Sequence, residues 1–315
     1  MTQVRHFLDL ADIDPADLRA MIEVAKKWKA ARVGLDKGVP DADPILEGKI
    51  LALIFEQVST RTRVSFDVGM RQMGGTTMYL TGSELQLGRG EAVSDTGKVL
   101  SRFVDAITIR TLSHDYLEEL AANSTIPVIN SLTKRSHPCQ LMADIQTYEE
   151  KKGDIKGATV TWLGDANNNV ATSWVHMAKK FDFTMRLSFA SGYGPDNEVL
   201  AWAADNNVKL EIISKPDEAV DGADTVVTDT WVSLGDEEDV FVRHRRLAPY
   251  QVTDKLMAVA KKDAIFMHCL PAHRGEEMTA SVIDGAQSVV WDEAENRLHA
   301  QKAVLAWCFD KLPAA

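Results

Sequence analysis

Short apolar runs recur along this chain, and most are followed by a segment whose apolar residues return at helical spacing. The clearest case is the run 50–54, which a helical pattern follows after Ser59 and which Gly74-Gly75 end. Runs of this length between helices predict buried parallel strands, and their alternation predicts an α/β fold. The predicted strands are 50–55, 76–80, 106–110, 126–130, 159–163, 185–189, 225–228, 265–268 and 289–291.

The length of 315 residues predicts about two domains. The charged, glycine-ended stretch 149–153 is the expected boundary, because a second series of alternating elements begins with the run 159–163. The last helix is expected from about 297 to 312. Ligands of such folds bind at the carboxyl ends of the parallel strands, so functional residues are expected there.

The composition, 45% hydrophobic and 26% charged, is that of a globular protein. The net charge of −11 argues against nucleic acid as a partner, since binding its backbone needs a basic face. No apolar run approaches the roughly 20 residues of a membrane span, and residues 1–7 have no signal-peptide core. The three cysteines form no CxxC pair, which favours reduced thiols and a cytoplasmic protein.

The segment Ser59-Thr60-Arg61-Thr62-Arg63 stands where the first strand gives way to a helix. Free backbone N–H groups and the positive end of the helix dipole point outward at such a place. Hydroxyl and guanidinium groups add directed bonds to phosphate oxygens. The segment therefore predicts a site for a small phosphorylated anion, although a helix cap with surface arginines would give the same pattern.

Other unusual side chains also follow predicted strands, and each has a simpler interpretation. Arg110 alone fits a salt bridge, and His137 with Gln140 fits a helix start. The run Asn167-Asn168-Asn169 fits a turn, and Cys269 fits an ordinary buried thiol. Their shared position after strands is the stronger observation. The further residues of this kind are Asp229, Ser233, Leu270, Arg297, which has Glu293 and Glu295 as alternative partners, and Gln86 in a polar loop.

No cofactor and no metal are expected. The segment 163–167 lacks the GxGxxG spacing of a dinucleotide site, and no HExxH or His/Cys ligand spacing is present.

Six segments together resemble the aspartate/ornithine carbamoyltransferase family, over about residues 7–309. The His-Cys-Leu-Pro segment is similar to that of the ornithine enzymes rather than the aspartate enzymes. The segments are 55–75 around Ser-Thr-Arg-Thr-Arg, 95–110, 137–140 (His-Pro-Cys-Gln), 229–235 (Asp-Thr-Trp-Val-Ser-Leu-Gly), 268–275 (His-Cys-Leu-Pro-Ala-His-Arg-Gly) and 293–302.

The resemblance implies transfer of the carbamoyl group of carbamoyl phosphate to L-ornithine, giving L-citrulline and phosphate in arginine biosynthesis. It implies a carbamoyl-phosphate site made of Ser59, Thr60, Arg61, Thr62, Gln86, Arg110, His137, Gln140, Leu270 and Arg297. It implies an ornithine site made of Asn169, Asp229, Ser233, Leu234 and Cys269. The implied catalytic residues are Arg110, His137, Asp229 and Cys269, and the sequence leaves open how Asp229 and Cys269 divide proton transfer.

The resemblance also implies the organisation of the chain. A carbamoyl-phosphate-binding domain would span 1–136 and an ornithine-binding domain 153–293. Each would be a parallel sheet flanked by helices, and two helices, 137–152 and 294–315, would join them. Family members are trimers, and Gln86 would reach the neighbouring subunit's site, so a homotrimer or an assembly of trimers is expected. Two alternatives stay open, a carbamoyltransferase for N-acetylornithine or putrescine and a non-catalytic anion-binding paralogue.

Overall fold

The computed structural model describes residues 4–82, 91–232 and 240–314, and these form two compact units. Unit 1 contains the described residues up to Gln146 and from Glu295 onward, and unit 2 runs from Thr147 to Ala294. Both boundaries fall inside a helix, Pro138–Lys152 in one case and Val290–Cys308 in the other. The prediction of two domains joined by two helices is confirmed.

Unit 1 is built on a parallel sheet with the strand order β2-β1-β3-β4. The central strand β1 is almost wholly apolar and buried, which is why it lies inside the sheet. Asp14 caps the first helix, because its Oδ1 accepts the N–H of Ala16 at 2.7 Å and Pro15 follows at the first helical position. The elements up to the boundary are α1 (Pro15–Ala31), β1 (Ile50–Phe55), α2 (Thr60–Gln72), β2 (Thr76–Thr81), α3 (Val93–Leu100), β3 (Ala106–Arg110), α4 (His114–Ala122), β4 (Val128–Leu132) and α5 (Pro138–Lys152).

Unit 2 is built on a second parallel sheet with the strand order β7-β6-β5-β8-β9. Its apolar core lies between this sheet and short helices, with Val226, Phe266 and Ile283 among the buried residues. The remaining elements are β5 (Thr159–Leu163), α6 (Asn169–Phe181), β6 (Thr184–Ser188), α7 (Asn197–Asp205), β7 (Leu210–Ile212), α8 (Pro216–Val220), β8 (Thr225–Thr228), α9 (Val240–Leu247), α10 (Asp254–Met257), β9 (Ile265–His268), α11 (Ala280–Ile283) and α12 (Val290–Cys308).

One predicted strand is wrong, and several bounds differ. Residues 290 and 291 begin α12 rather than belonging to a strand, and the chain just before them makes an isolated bridge between Phe266 and Ser288. The last helix therefore starts at Val290 and ends at Cys308. Strand β4 lies two residues later than predicted, and the exposed edge strand β7 was not predicted.

The strand orders place a topological switch point in each sheet. In unit 1 the connections from β1 and β3 diverge to opposite sides, and in unit 2 the same holds for β5 and β8. Loops that leave such a pair of strands open a crevice at their carboxyl ends, where ligands bind in α/β folds. The two crevices are therefore the first places to look for functional side chains. No helix within the described residues has the length and apolar character needed to cross a membrane.

Candidate active site

The start of α2 lies at the switch point of unit 1, beside the end of β3. Phe55 pairs with Arg110 in the sheet, and the N–H of Glu56 donates to the carbonyl oxygen of Arg110 at 3.0 Å. Ser59 is the N-cap residue, yet its side chain makes no capping hydrogen bond. Since the Ser59 hydroxyl does not cap the helix, the simple capping interpretation loses its main support. The first-turn N–H groups of α2 suit an anion.

Arg297 lies against the first turn of α2. Its guanidinium donates a hydrogen bond to the hydroxyl of Thr62, and the two side chains are buried. Thr60 is exposed and Arg61 is half-buried at the same helix start. The sequence predicted these residues for one site although 235 positions separate the two partners. Unit 1 thus brings the predicted helix start and the predicted arginine of α12 together.

His137 is the centre of this cluster. It is 3% exposed, and its pKa lies well below the ordinary value because of burial and then because of the guanidinium groups of Arg297, Arg110 and Arg61. The imidazole is therefore neutral at neutral pH, so that it can donate one N–H without adding charge. Three guanidinium groups around one buried ring make a strongly positive place, which an anionic ligand would stabilise.

Gln140 lies one turn along α5 from His137. It is fully buried, and its side-chain Nε2 donates to Asp144 Oδ1 at 2.8 Å, which fixes the direction of the amide. The intervening Cys139 donates its thiol to the carbonyl of Asn130 at 3.3 Å, and burial raises the pKa of that thiol to about 12. Cys139 is consequently an inert structural thiol.

Arg63, the last residue of the predicted anion-binding segment, has a different environment. Its guanidinium carbon lies 3.7 Å from the ring centroid of Tyr79 on the edge strand β2. This stacking is a cation–π contact, and it holds the guanidinium group of Arg63 against strand β2. Arg63 is therefore absent from the set that surrounds His137.

Asp229 is the corresponding centre in unit 2, at the end of β8. It is 8% exposed, and both of its carboxylate oxygens accept hydrogen bonds. The thiol of Cys269 donates to Oδ1 at 3.1 Å, and the amide of Asn168 donates to Oδ2 at 3.0 Å. Cys269 is half-buried, so it is not the ordinary core thiol of the simpler interpretation. The carboxylate and the thiol thus lie together, as the sequence predicted.

Asn168 and Asn169, in the asparagine run, have different environments. Asn168 caps α6, because its Oδ1 accepts the N–H of Val170 at 2.7 Å, and its amide nitrogen is used by Asp229. Asn169 is the next residue, half-buried at the first position of α6. The assignment of Asn169 to a ligand stays a prediction. The contact of Asn168 with Asp229 was not predicted, because the sequence does not indicate which of three identical neighbours faces the site.

Leu270 has an unusual backbone conformation and an unusual partner. Its φ of 59° lies in the left-handed region, and its N–H donates to Nδ1 of His268 at 2.9 Å. Nε2 of His268 lies 3.2 Å from Oε1 of Glu277, and both side chains are fully buried. Sequence reasoning missed this pair, since its members are nine positions apart within an irregular segment.

Two groups of the described residues could hold a metal ion, because their ligand atoms lie within 4.8 Å of one another. The first is Asp229 with His268 and Cys269, and the second is His273 with Glu276 and Glu277. The hydrogen bonds already described occupy most of these atoms. The expectation that the protein needs no metal stays a prediction.

Three predicted site residues, Gln86, Ser233 and Leu234, lie outside the described residues. Their assignments are carried by the sequence alone.

Two family models match the chain. Residues 5–150 match the carbamoyl-phosphate-binding domain of the aspartate/ornithine carbamoyltransferases, and residues 156–308 match the aspartate/ornithine-binding domain. The chain is 57% identical over 304 residues to an ornithine carbamoyltransferase of Rhodopseudomonas palustris, covering 96% of each.

Solved structures agree with these matches. The ornithine carbamoyltransferase of Pyrococcus furiosus is 47% identical with a TM-score of 0.89, and 96% of each chain is covered. The anabolic ornithine carbamoyltransferase of Campylobacter jejuni is 32% identical with a TM-score of 0.88, covering 98% of this chain and 99% of that one.

Proposed function

The chain belongs to the aspartate/ornithine carbamoyltransferase family, and from that premise we propose which of its residues carry the reaction. The enzyme transfers the carbamoyl group of carbamoyl phosphate to the δ-amine of L-ornithine, giving L-citrulline and phosphate. The observation that supports our assignment best is the set of three guanidinium groups around the buried His137 at a helix start.

Unit 1 provides what carbamoyl phosphate needs. The phosphate binds to Ser59, Thr60, Arg61 and Thr62 at the start of α2, and Arg297 completes the anion pocket. Arg110, His137 and Gln140 address the carbonyl and amide end. When the amine attacks, negative charge develops on the carbonyl oxygen, and Thr62, Arg110 and the neutral His137 are fixed donors for it. Arg61 and Arg297 stabilise the phosphate as it leaves.

Unit 2 provides what ornithine needs. Asp229 pairs with the α-ammonium group, and Asn169, Ser233 and Leu234 bind the α-amino and α-carboxyl groups. An amine of this type has a pKa near 10.4, so its neutral, nucleophilic form is rare at pH 7. The guanidinium groups of the carbamoyl-phosphate site would favour the neutral form of the reacting amine. Cys269 and the carbonyl oxygen of Leu270 face the reacting groups. The thiol of Cys269 donates a hydrogen bond to Asp229, so a proton can pass between these two side chains.

The organisation of the whole enzyme follows the same assignment. We propose residues 1–136 as the carbamoyl-phosphate-binding domain, 153–293 as the ornithine-binding domain, and 137–152 and 294–315 as the connecting helices. We propose a cytoplasmic homotrimer, or an assembly of trimers, in which Gln86 contributes to the site of a neighbouring subunit. Cys139, Cys269 and Cys308 form no disulfide among the described residues, which suits a reducing compartment.

The test is citrulline formation from carbamoyl phosphate with L-ornithine, N-acetylornithine and putrescine compared at equal concentration. Ornithine is expected to react at least about 100-fold faster than the other two, because each lacks a charged group that unit 2 would bind. Preference for putrescine or N-acetylornithine would contradict the assignment of Asp229 and its neighbours.

A further inference from the structure

We propose that His268 and Glu277 are positioning residues that hold the backbone of Leu270, and with it the thiol of Cys269, in place for carbamoyl transfer. This role rests on the proposed function, in which Cys269 and the Leu270 carbonyl face the reacting groups. Four hydrogen bonds within unit 2 carry the inference.

Leu270 needs such support because its backbone is in a conformation that side chains disfavour. A φ of 59° lies in the left-handed region, which is unfavourable for an L-residue other than glycine. The N–H of Leu270 donates to Nδ1 of His268 at 2.9 Å, so the imidazole bridges the turn that contains Cys269. The hydrogen bond holds the direction of the peptide that joins Cys269 to Leu270.

The hydrogen bond to Leu270 also determines which nitrogen of His268 carries the proton. Since Nδ1 accepts a hydrogen bond, the neutral ring bears its proton on Nε2. That nitrogen donates to Oε1 of Glu277 at 3.2 Å. The backbone N–H of His268 is held as well, by Oε2 of Glu293 at 2.9 Å. The fully buried ring is therefore fixed in position and in tautomer.

Glu277 secures the far end of the same segment. Its Oε1 also accepts the backbone N–H of His273 at 2.6 Å, so one oxygen joins His268 to His273 across the intervening turn. Its Oε2 is buried, and within the described residues it has no hydrogen-bond partner. Burying a carboxylate is unfavourable. The hydrogen bonds of this one join the two ends of the segment that carries Cys269 and Leu270.

Two substitutions of His268 separate positioning from packing. In His268→Asn the amide oxygen falls near the place of Nδ1. This variant keeps an acceptor for the N–H of Leu270 and loses the hydrogen bond to Glu277. In His268→Gln the amide nitrogen falls near the place of Nε2. This variant keeps the hydrogen bond to Glu277 and loses the acceptor for the N–H of Leu270. We expect kcat to fall by less than about tenfold in the first variant and by about 100-fold in the second, the cost of a misplacement near 1 Å.

Phosphate affinity, measured by calorimetry, should stay within about threefold of wild type in both variants, because the phosphate binds to unit 1. The KM for carbamoyl phosphate should also change less than kcat. Equal kcat in the two variants, or a larger loss in His268→Asn, would overturn the positioning role. Absence of citrulline from the wild-type enzyme is a different result, because it would overturn the proposed function itself.

Substitutions of Glu277 give a second comparison. Glu277→Gln keeps an oxygen for both N–H groups, and we expect kcat to fall by about threefold to tenfold. Glu277→Leu leaves both donors without an acceptor, and we expect a loss of about 100-fold or more. Glu276→Gln is the matched control at the neighbouring, partly exposed position, with kcat unchanged. Wild-type kcat in a folded Glu277→Leu variant would overturn the proposal.

Discussion

The guanidinium group of Arg61 is the single side chain whose loss should affect the enzyme most clearly. Arg61 is half-buried at the start of α2 and contributes to the positive surroundings of His137. We expect Arg61→Ala to lower kcat/KM for carbamoyl phosphate by about 100-fold to 1,000-fold, the usual effect of removing a donor to developing charge. Steady-state citrulline formation measures this loss.

The matched control for Arg61→Ala is Arg71→Ala, on the same helix. Arg71 is exposed and pairs with Asp67 at 3.0 Å, and it is not among the guanidinium groups that lower the pKa of His137. Turnover in this variant should stay within about twofold of wild type. A similar loss in both variants would mean that the phosphate site has been misassigned.

Burial of His137 should make the folded enzyme sensitive to acid. The pKa of this side chain is lowered on folding, so below about pH 6.5 the unfolded chain takes up a proton that the folded chain refuses. Stability is therefore lost as the pH falls below about 6.5, by about 1 kcal/mol for each pH unit. Urea unfolding at pH 7.5 and 5.5 should show a smaller pH dependence in His137→Gln than in wild type. An identical dependence would contradict the neutral state of the ring.

Single residues also show where sequence reasoning stops. Arg61, Arg110 and His137 were predictable as one cluster, because each lies at or after the carboxyl end of a strand of the same sheet. Arg297 follows no strand of that sheet, and its place in the site came from the resemblance to the family. The contact between Asn168 and Asp229 was not predictable, because it depends on side-chain direction within a run of identical residues. The pairing of His268 with Glu277 was not either, because an irregular turn has no period to read.

Helix α12 is attached to the rest of unit 1 by a buried lysine. Lys302 is fully buried, and its Nζ lies 2.6 Å from Oδ2 of Asp41 and 3.2 Å from Oε1 of Gln72 on α2. Burial lowers the pKa of Lys302, which makes these partners necessary to keep it charged. The same helix carries Arg297 to Thr62, so the attachment of α12 serves the anion site.

Removing Asp41 should lower the free energy of unfolding more than removing Lys302. Asp41→Ala leaves the buried ammonium group without a carboxylate, and we expect a loss of about 3–5 kcal/mol in the free energy of unfolding. Lys302→Met should cost less than about 2 kcal/mol, because Asp41 keeps its contact with Arg32 at 2.7 Å. Urea unfolding measures both. A larger loss in Lys302→Met than in Asp41→Ala would contradict this account.

Elements were predictable where one face or both faces are buried, and less so elsewhere. The apolar strand β1 was predicted to the residue, because a fully buried run between turn signals has few alternatives. The run 289–291 was misread as a strand, because three apolar or aromatic residues at a helix start look the same. The strand β7 was missed because its residues are partly or fully exposed, so that no burial pattern marks them.

At the scale of the whole molecule, the proposed trimer predicts complementation between inactive variants. If Gln86 serves a neighbouring site, Arg61→Ala and Gln86→Ala place their defects on different subunits of one site. Mixed trimers formed by unfolding and refolding the two variants together should then contain wild-type sites at about a quarter of all positions. Citrulline assays should detect this activity.

Each parent refolded alone is the control for the mixing experiment, and neither should gain activity. Size-exclusion chromatography with light scattering should show the same trimeric mass for parents and mixture. No gain in the mixture, with trimers present, would mean that each site is completed within one chain.

The split of unit 1 into two stretches of sequence has a consequence for how the enzyme is made. A ribosome releases the residues up to Gln146 first, then all of unit 2, and the stretch from Glu295 last. Arg297 is in that last stretch, so the cluster of guanidinium groups around His137 stays incomplete until translation has passed unit 2. Chains cut short by a premature stop codon before residue 295 should therefore be unable to capture carbamoyl phosphate in the cell, even where their first sheet has already folded.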